Sequence, residues 1–305
     1  MIASVYPTLN DFFAACYRPR RLLGCSAPTI KHYAVAIRHL HRFFGRPVTL
    51  ADLADEDRVA EFMAWFAEGR RPATVATQRS QMVALLTYAH RRGLIAAVPD
   101  IPRVSQLQHA PDSYTVTEVA RLVNAARDAV GEICGIPASF YWMSNFLIAY
   151  DTGVRSRALW SIELPHLRLH IPAIVFPPEN MKNRRGQIIR IARSTAAVIK
   201  LSLGPRRLLF PEPWCLATRY ARAKEFFRAA GLPTGRHDLY QRLRRTTGTM
   251  THAKGGDATA QLGHSSDAVT RQFYLDQSEN VQAADLLDHP WANSITEANS
   301  QQRLF

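Results

Sequence analysis

The sequence predicts a mainly α-helical protein with one small β-sheet, divided into two domains of unequal size. Three observations carry this reading. Apolar residues recur at steps of three and four through most of the chain, which is the period of a buried helix face. Between 167 and 191 the pattern changes to short apolar runs interrupted by Pro172, Pro177 and Pro178, as expected of strands. The stretch Val98 to Ser113, VPDIPRVSQLQHAPDS, holds three prolines with little periodicity and marks a linker. A chain of 305 residues is long for one core and comfortable for two, so domains 1–105 and 112–305 are expected.

In the first domain a short helix is expected near Leu9 to Tyr17. Thr29 to Phe44 follows, with Ile30, Tyr33, Ile37, Leu40 and Phe44 on one stripe and Lys31, Arg38 and Arg42 turned away from it. Asp55 to Glu68 opens on three acidic residues and buries Val59, Phe62, Met63 and Phe66. Ala73 to Arg91 buries Val75, Met82, Leu86 and Ala89 and stops at Gly93. The second domain opens on Thr115 and Glu118, spaced as a capping box, with Val119, Leu122 and Val123 behind them. A helix from about Pro137 ends at Gly153, and another begins just after Arg155. Strands are expected at Leu167–His170, Ala173–Phe176 and Gln187–Ile191. Helices resume over 194–203, 218–230 and 238–254, and beyond His264.

With 47% hydrophobic and 21% charged residues the chain should fold. Its net charge of +13 points to a polyanionic partner, since every cation that neutralises a phosphate releases condensed counterions. The charge is unevenly placed. From Phe12 to Ala51 there is no acidic residue, while Arg18, Arg20, Arg21, Lys31, Arg38, Arg42 and Arg46 fall there. An ordinary solvated face mixes both signs, so this run reads as a phosphate-facing surface. The four cysteines are scattered without metal-ligand spacing, and no metal or other cofactor is expected. The N-terminal residues show no basic region followed by an apolar run, and no segment reaches the ~20 apolar residues of a membrane span. A cytoplasmic protein, associated with the nucleoid when it binds DNA, is the expectation.

Breaking a phosphodiester without a metal requires a nucleophile, cationic donors for the phosphoryl oxygens and an acid for the departing oxygen. Metal-dependent nucleases cluster carboxylates instead. The strongest motifs here are rich in arginine, lysine and histidine. Arg155 closes Tyr150-Asp151-Thr152-Gly153-Val154-Arg155 at a helix start, where backbone N–H groups could also face an anion. Lys182, with Arg184 and Arg185, lies in the turn between two predicted strands. The segment from Leu243 to Asp276 carries Arg244-Arg245, then Leu262-Gly263-His264-Ser265-Ser266, then Tyr274. A tyrosine titrates near 10 and needs a positive field to attack at neutral pH, which Arg155, Arg244 and His264 would supply.

The order arginine, LGHSS, tyrosine closely resembles the C-terminal signature of the tyrosine recombinase (phage integrase) family. The segment RRPATVATQRSQMVALLTYAHRRGLI, residues 70–95, resembles the last helix of that family's core-binding domain. The resemblance spans about residues 5 to 280. It implies a helical, DNA-binding core-binding domain followed by an α+β catalytic domain, which clamp opposite faces of duplex DNA. Tyr274 would attack the scissile phosphate to form a 3′-phosphotyrosyl link, and a 5′-hydroxyl would reverse the step without metal or nucleotide. Lys182 would protonate the leaving oxygen. Arg155, Arg244 and His264 would hold the phosphoryl oxygens, and Arg245, Arg184, Arg185, Lys31, Arg38 and Arg42 would contact DNA. Four protomers would act on two specific recombination sites, with the tail from Gln277, including Leu286, Leu287 and Trp291, packing on a neighbouring protomer.

Two positions depart from the family pattern. The acidic residue usual three positions after the first arginine is Ala158 here. The histidine usual three before the second arginine is Gln241, which can donate a hydrogen bond but cannot shuttle a proton. His237 lies seven before Arg244, about two helical turns back. Two alternatives keep much of the pattern: a type IB topoisomerase, and a DNA-binding relative without catalysis.

Overall fold

The computed structural model describes residues 6–105, 110–211, 214–235 and 237–276, so the expected tail from Gln277 lies outside the described residues. The chain divides into two compact units, Met1–Gln108 and His109–Phe305.

Unit 1 is all-helical among its described residues. Helix α1 (Leu9–Phe12) runs into a π-helical turn (Phe13–Tyr17) and α2 (Arg18–Arg21). The first helical segment is therefore longer than the sequence pattern indicates, because Pro19 sits in the opening turn of α2, where it lacks no needed donor. Helices α3 (Ala27–Phe44), α4 (Glu56–Ala67) and α5 (Pro72–Arg91) complete the bundle. Ser26 and Asp55 cap α3 and α4 by accepting backbone N–H bonds from Thr29 and Arg58. On α3 the buried Ala36, Ile37 and Leu40 lie opposite exposed Lys31, Arg38 and Arg42. The spacing of those three cations, seven and then four, places them on one stripe. The expected linker is shorter than its composition suggests. Ile101 is buried in the unit 1 core, and Arg79 donates to the carbonyls of Ile101 and Pro102.

Unit 2 packs helices around one apolar core with a small sheet at its edge. The capping box at Thr115 and Glu118 opens α6 (Val116–Arg127). A two-stranded ladder, β1 (Glu132–Ile133) with β2 (Ile136–Pro137), escaped the sequence reading because each strand is only two residues long. Helix α7 (Ala138–Thr152) ends at Gly153 in the left-handed conformation, and α8 (Ser156–Trp160) starts after Arg155. The antiparallel sheet is β3 (Leu167–Arg168), β4 (Ala173–Phe176) and β5 (Gln187–Arg190). Its β4–β5 register pairs Phe176 with Gln187, so residues 177–186 form the loop of that hairpin. Helices α9 (Arg193–Leu201) and α10 (Leu216–Ala229) follow. Then come α11 (Tyr240–Ala253), α12 (Ala258–Leu262) and α13 (Asp267–Tyr274). Helix α12 was not expected, since five residues are too few to display a period.

Candidate active site

Helix α11 organises the site. Its residues Gln241, Arg244 and Gly248, at steps of three and four, share one stripe. Arg244 is 2% exposed, and its guanidinium donates to the carbonyls of Gly153 and of Leu262, the latter at 2.6 Å. It also donates to His264 Nε2 at 2.9 Å. One arginine thus joins the end of α7, the end of α12 and the histidine of the LGHSS segment. Burial beside Arg155 lowers its pKa to about 10, which leaves it charged at neutral pH.

Close packing fixes these segments. Gly153 has φ 59°, and a Cβ there would lie 2.7 Å from Leu262 Cδ2. A Cβ on Gly248 would stand 2.9 Å from Leu262 Cδ1. Leu262 fills the space that two glycines leave, which brings its own carbonyl within reach of Arg244.

His264 lies half-buried between Arg244 and Thr270. An arginine only donates, so Nε2 must be the acceptor, and the proton of the neutral ring sits on Nδ1, 2.9 Å from Thr270 Oγ1. Burial and the nearby charges of Arg244 and Arg155 push its pKa down to about 4. The ring is therefore neutral at physiological pH with both nitrogens already engaged, so the positive field expected of it falls to Arg155 and Arg244. Thr270 is fully buried and also accepts from Thr259 Oγ1 at 2.9 Å.

Tyr274, the last residue of α13, packs against this group. Its ring centroid lies 4.3 Å from that of His264, and the Arg244 guanidinium carbon is 5.2 Å from the tyrosine ring centre. Gln241 Nε2 reaches toward the phenol oxygen at 3.5 Å, a long contact. Burial pushes the phenol pKa up, but Arg244 and Arg155, with polar contacts from Arg244 and Gln241, outweigh it and hold it below the usual value. Arg155, at the N-terminal cap of α8, lies close enough for its charge to act on Arg244, His264 and Tyr274 alike.

The β4–β5 loop is tied to the same place. Asn183 Nδ2 donates to the Gly263 carbonyl at 2.8 Å, and Gln187 Nε2 donates to Ala260 at 2.9 Å. Gly263 has φ 63°, and a Cβ there would meet the Gln187 amide at 2.5 Å. These contacts hold the loop that carries Lys182, Arg184 and Arg185, whose side chains are exposed, against the LGHSS segment.

The structure thus brings Arg155, Gln241, Arg244, His264 and Tyr274 together and anchors the Lys182 loop beside them. Arg245 was expected to contact DNA. It is mostly buried, pairs with Asp112 at 3.2 Å and donates to the His237 carbonyl. His237 precedes the first turn of α11, and Leu239 intervenes with φ 53°, so counting helical turns back from Arg244 does not reach it. Ala158 is buried in the core, where an acidic side chain would lack water. Sequence reasoning missed Thr270, Asn183 and Gln187, uncharged residues whose partners no motif marks, Asn183 and Gln187 reaching segments 80 and 73 positions away. Among the described residues no group of three or more His, Cys, Asp or Glu could hold a metal ion, and no helix is long and apolar enough to cross a membrane.

Neither a protein-family model nor a curated protein sequence matches this chain. Solved structures do. The Tn1549 transposon integrase in complex with a circular intermediate DNA aligns with TM-score 0.70 at 13% identity, over 92% of this chain and 98% of that one. XerH site-specific recombinase bound to palindromic difH substrate, a post-cleavage complex, aligns with TM-score 0.65 at 20% identity, over 89% and 82%. A lambda integrase dimer bound to a COC′ core site aligns with TM-score 0.63 at 16% identity, over 86% and 97%. At these identities the likeness is one of fold: this chain has the fold of the tyrosine recombinases.

Proposed function

We propose that this protein is a site-specific DNA recombinase or integrase that cleaves and rejoins strands through a 3′-phosphotyrosyl intermediate, without metal or nucleotide. The observation that carries the reading is the placement of the Tyr274 phenol against Arg244, His264 and Gln241, in the positive field of Arg155. A phenol whose ionised form is favoured by two arginines is prepared to attack phosphorus. The same arginines face the charge that builds on the phosphoryl oxygens.

In the forward step Tyr274 gives up its phenol proton to solvent and its Oη bonds to phosphorus, the bond from phosphorus to the 5′-oxygen breaks, and Lys182 supplies the proton that this oxygen takes. A free 5′-hydroxyl then attacks the phosphotyrosyl group, passing its proton to Lys182, and releases Tyr274, which regains a proton from solvent; the diester is restored and the bond energy conserved. Duplex DNA is the partner. Lys31, Arg38, Arg42, Arg184 and Arg185 contribute phosphate contacts, and protomers act as a tetramer on two sites. Similar folds solved on DNA, among them XerH on difH, the Tn1549 integrase and a lambda integrase tetramer bound to a Holliday junction, support this reading.

The test uses a mixed-sequence library of nicked duplexes, in which the fragment beyond the cleavage point diffuses away and traps the covalent adduct. The wild-type protein should retain DNA through denaturation in the presence of EDTA, and the attached peptide should contain Tyr274. Tyr274→Phe should abolish attachment and leave duplex binding intact, because it deletes one oxygen and keeps the packed ring. Attachment at Tyr240, or strict dependence on a divalent cation, would refute the assignment.

A further inference from the structure

Tyr274 ends an eight-residue helix, and the backbone beyond it is extended at Leu275. A side chain in that position is only as well placed as the chain that follows it. Here that chain is fastened at Asp276. Its Oδ2 accepts from the Ser113 backbone N–H at 2.8 Å and from the Ser113 hydroxyl at 3.0 Å, and the residue is 9% exposed.

Both partners rest on a second stripe of α11, made by Arg242, Thr246 and Thr249. The Asp276 N–H donates to Thr249 Oγ1 at 2.9 Å, and that hydroxyl donates to the Tyr274 carbonyl at 3.3 Å. Ser113 is held in turn, since Arg242 donates to its carbonyl from Nε at 3.2 Å and from Nη2 at 3.1 Å. Arg242 also pairs with Asp112 at 2.9 Å, and the next residue along, Tyr114, donates its N–H to Thr246 Oγ1 at 2.8 Å. Helix α11 thus presents its phosphate-side residues on one stripe and grips both the entry to unit 2 and the end of α13 on another.

We infer that Asp276, through Ser113, is a positioning residue for Tyr274, locking the exit of α13 so that the phenol stays against Arg244. The inference rests on the reading of Tyr274 as nucleophile. Without the Asp276 carboxylate the exit would keep the two backbone bonds through Thr249 and lose those to Ser113. The phenol would then spread over positions from which in-line attack is not available. Displacements near 1 Å can cost about a hundredfold in rate.

Asp276→Ala and Asp276→Asn are compared with wild type on a duplex recovered from the adduct library, measuring the single-turnover rate of adduct formation and DNA affinity separately. Asp276→Ala should form adduct about ten- to a hundredfold more slowly at unchanged affinity. Asp276→Asn should recover most of the rate, because one amide oxygen can accept both bonds that Oδ2 now accepts. Ser113→Ala, which removes only the hydroxyl bond, should show a smaller loss in the same direction and serves if Asp276→Ala does not fold. Wild-type rates in Asp276→Ala, a joint loss of rate and affinity, or Asn no better than Ala would overturn the inference. Failure of the wild-type protein to yield any adduct would instead remove the recombinase reading itself.

Discussion

The hydrogen bonds of His264 dictate its chemistry more tightly than its identity does. Because Arg244 can only donate, the ring must accept at Nε2 and carry its proton on Nδ1 toward Thr270. Nitrogen-15 spectra of histidine-labelled protein at pH 6 should show one ring in this neutral tautomer, and Thr270→Val should disturb it. The depressed pKa also sets a sign. Unfolded histidine titrates near 6.5 and the folded residue near 4, so the unfolded state binds the extra proton in between. The stability that neutral His264 permits is complete above about 6.5 and is lost as the pH falls toward 4. Melting temperatures measured across that range should fall less for His264→Gln than for wild type. Gln241→His poses a related question, since it puts a titratable donor next to the phenol. It should preserve or raise adduct formation, and abolition in a folded, DNA-binding variant would mean that this helix face is wrongly aligned with the family pattern. At this scale the sequence marks candidate chemical groups and hides their supports. Arg155, Lys182, Arg244, His264 and Tyr274 stand out because their order and type have a chemical meaning. Thr270, Asn183, Ser113 and Asp276 do not, because their roles depend on partners up to 163 positions away.

Helices with a full apolar stripe were legible, and the short connecting elements were not. Periodicity needs several turns to register, so α3 to α5 emerge from the sequence while α12 and the two-residue strands do not. Yet α12 is the element that presents Leu262 to Gly153 and Gly248. Gly153→Ala combines a left-handed backbone, which costs about 1 kcal/mol or more for a side chain, with a clash against Leu262 that adds about 1–3 kcal/mol. Gly255 offers a control, having φ 74° but nothing within 4 Å of an added Cβ. Urea unfolding should place Gly153→Ala well below Gly255→Ala, and cleavage should fall with it because Leu262 also supplies a carbonyl to Arg244. Equal midpoints would mean that Leu262 relaxes freely and that the packing here is not tight. The hairpin loop is a second element-scale case. Asn183→Ala removes one exposed tether to Gly263 and, if Lys182 is the acid proposed above, should slow adduct formation while barely moving stability.

At the scale of the whole molecule, the chain divides into two compact units, and proline placement does not by itself fix where one ends. Composition cannot show that Arg79 captures Ile101 and Pro102, or that Asp112 is held by Arg242 and Arg245. Net charge is more direct, because long-range attraction to a polyanion depends on the sum of charges more than on any one contact. With +13 overall and an acid-free run through α3, binding to a duplex should weaken steeply with salt. Each phosphate neutralised on B-DNA contributes about 0.9 to the slope of log K against log salt. If the exposed stripe of Lys31, Arg38 and Arg42 lies along phosphates, Arg38→Glu with Arg42→Glu removes two such contacts. The slope should then shrink by about 2 in magnitude, and affinity should fall for any sequence. Circular dichroism should stay unchanged, since both side chains are solvent-exposed and the apolar face of α3 is untouched. Titrating wild type and the double variant against a mixed-sequence duplex at several salt concentrations decides the matter. A smaller affinity with the same slope would place these arginines away from the backbone, and an unchanged curve would make the stripe an ordinary solvated face.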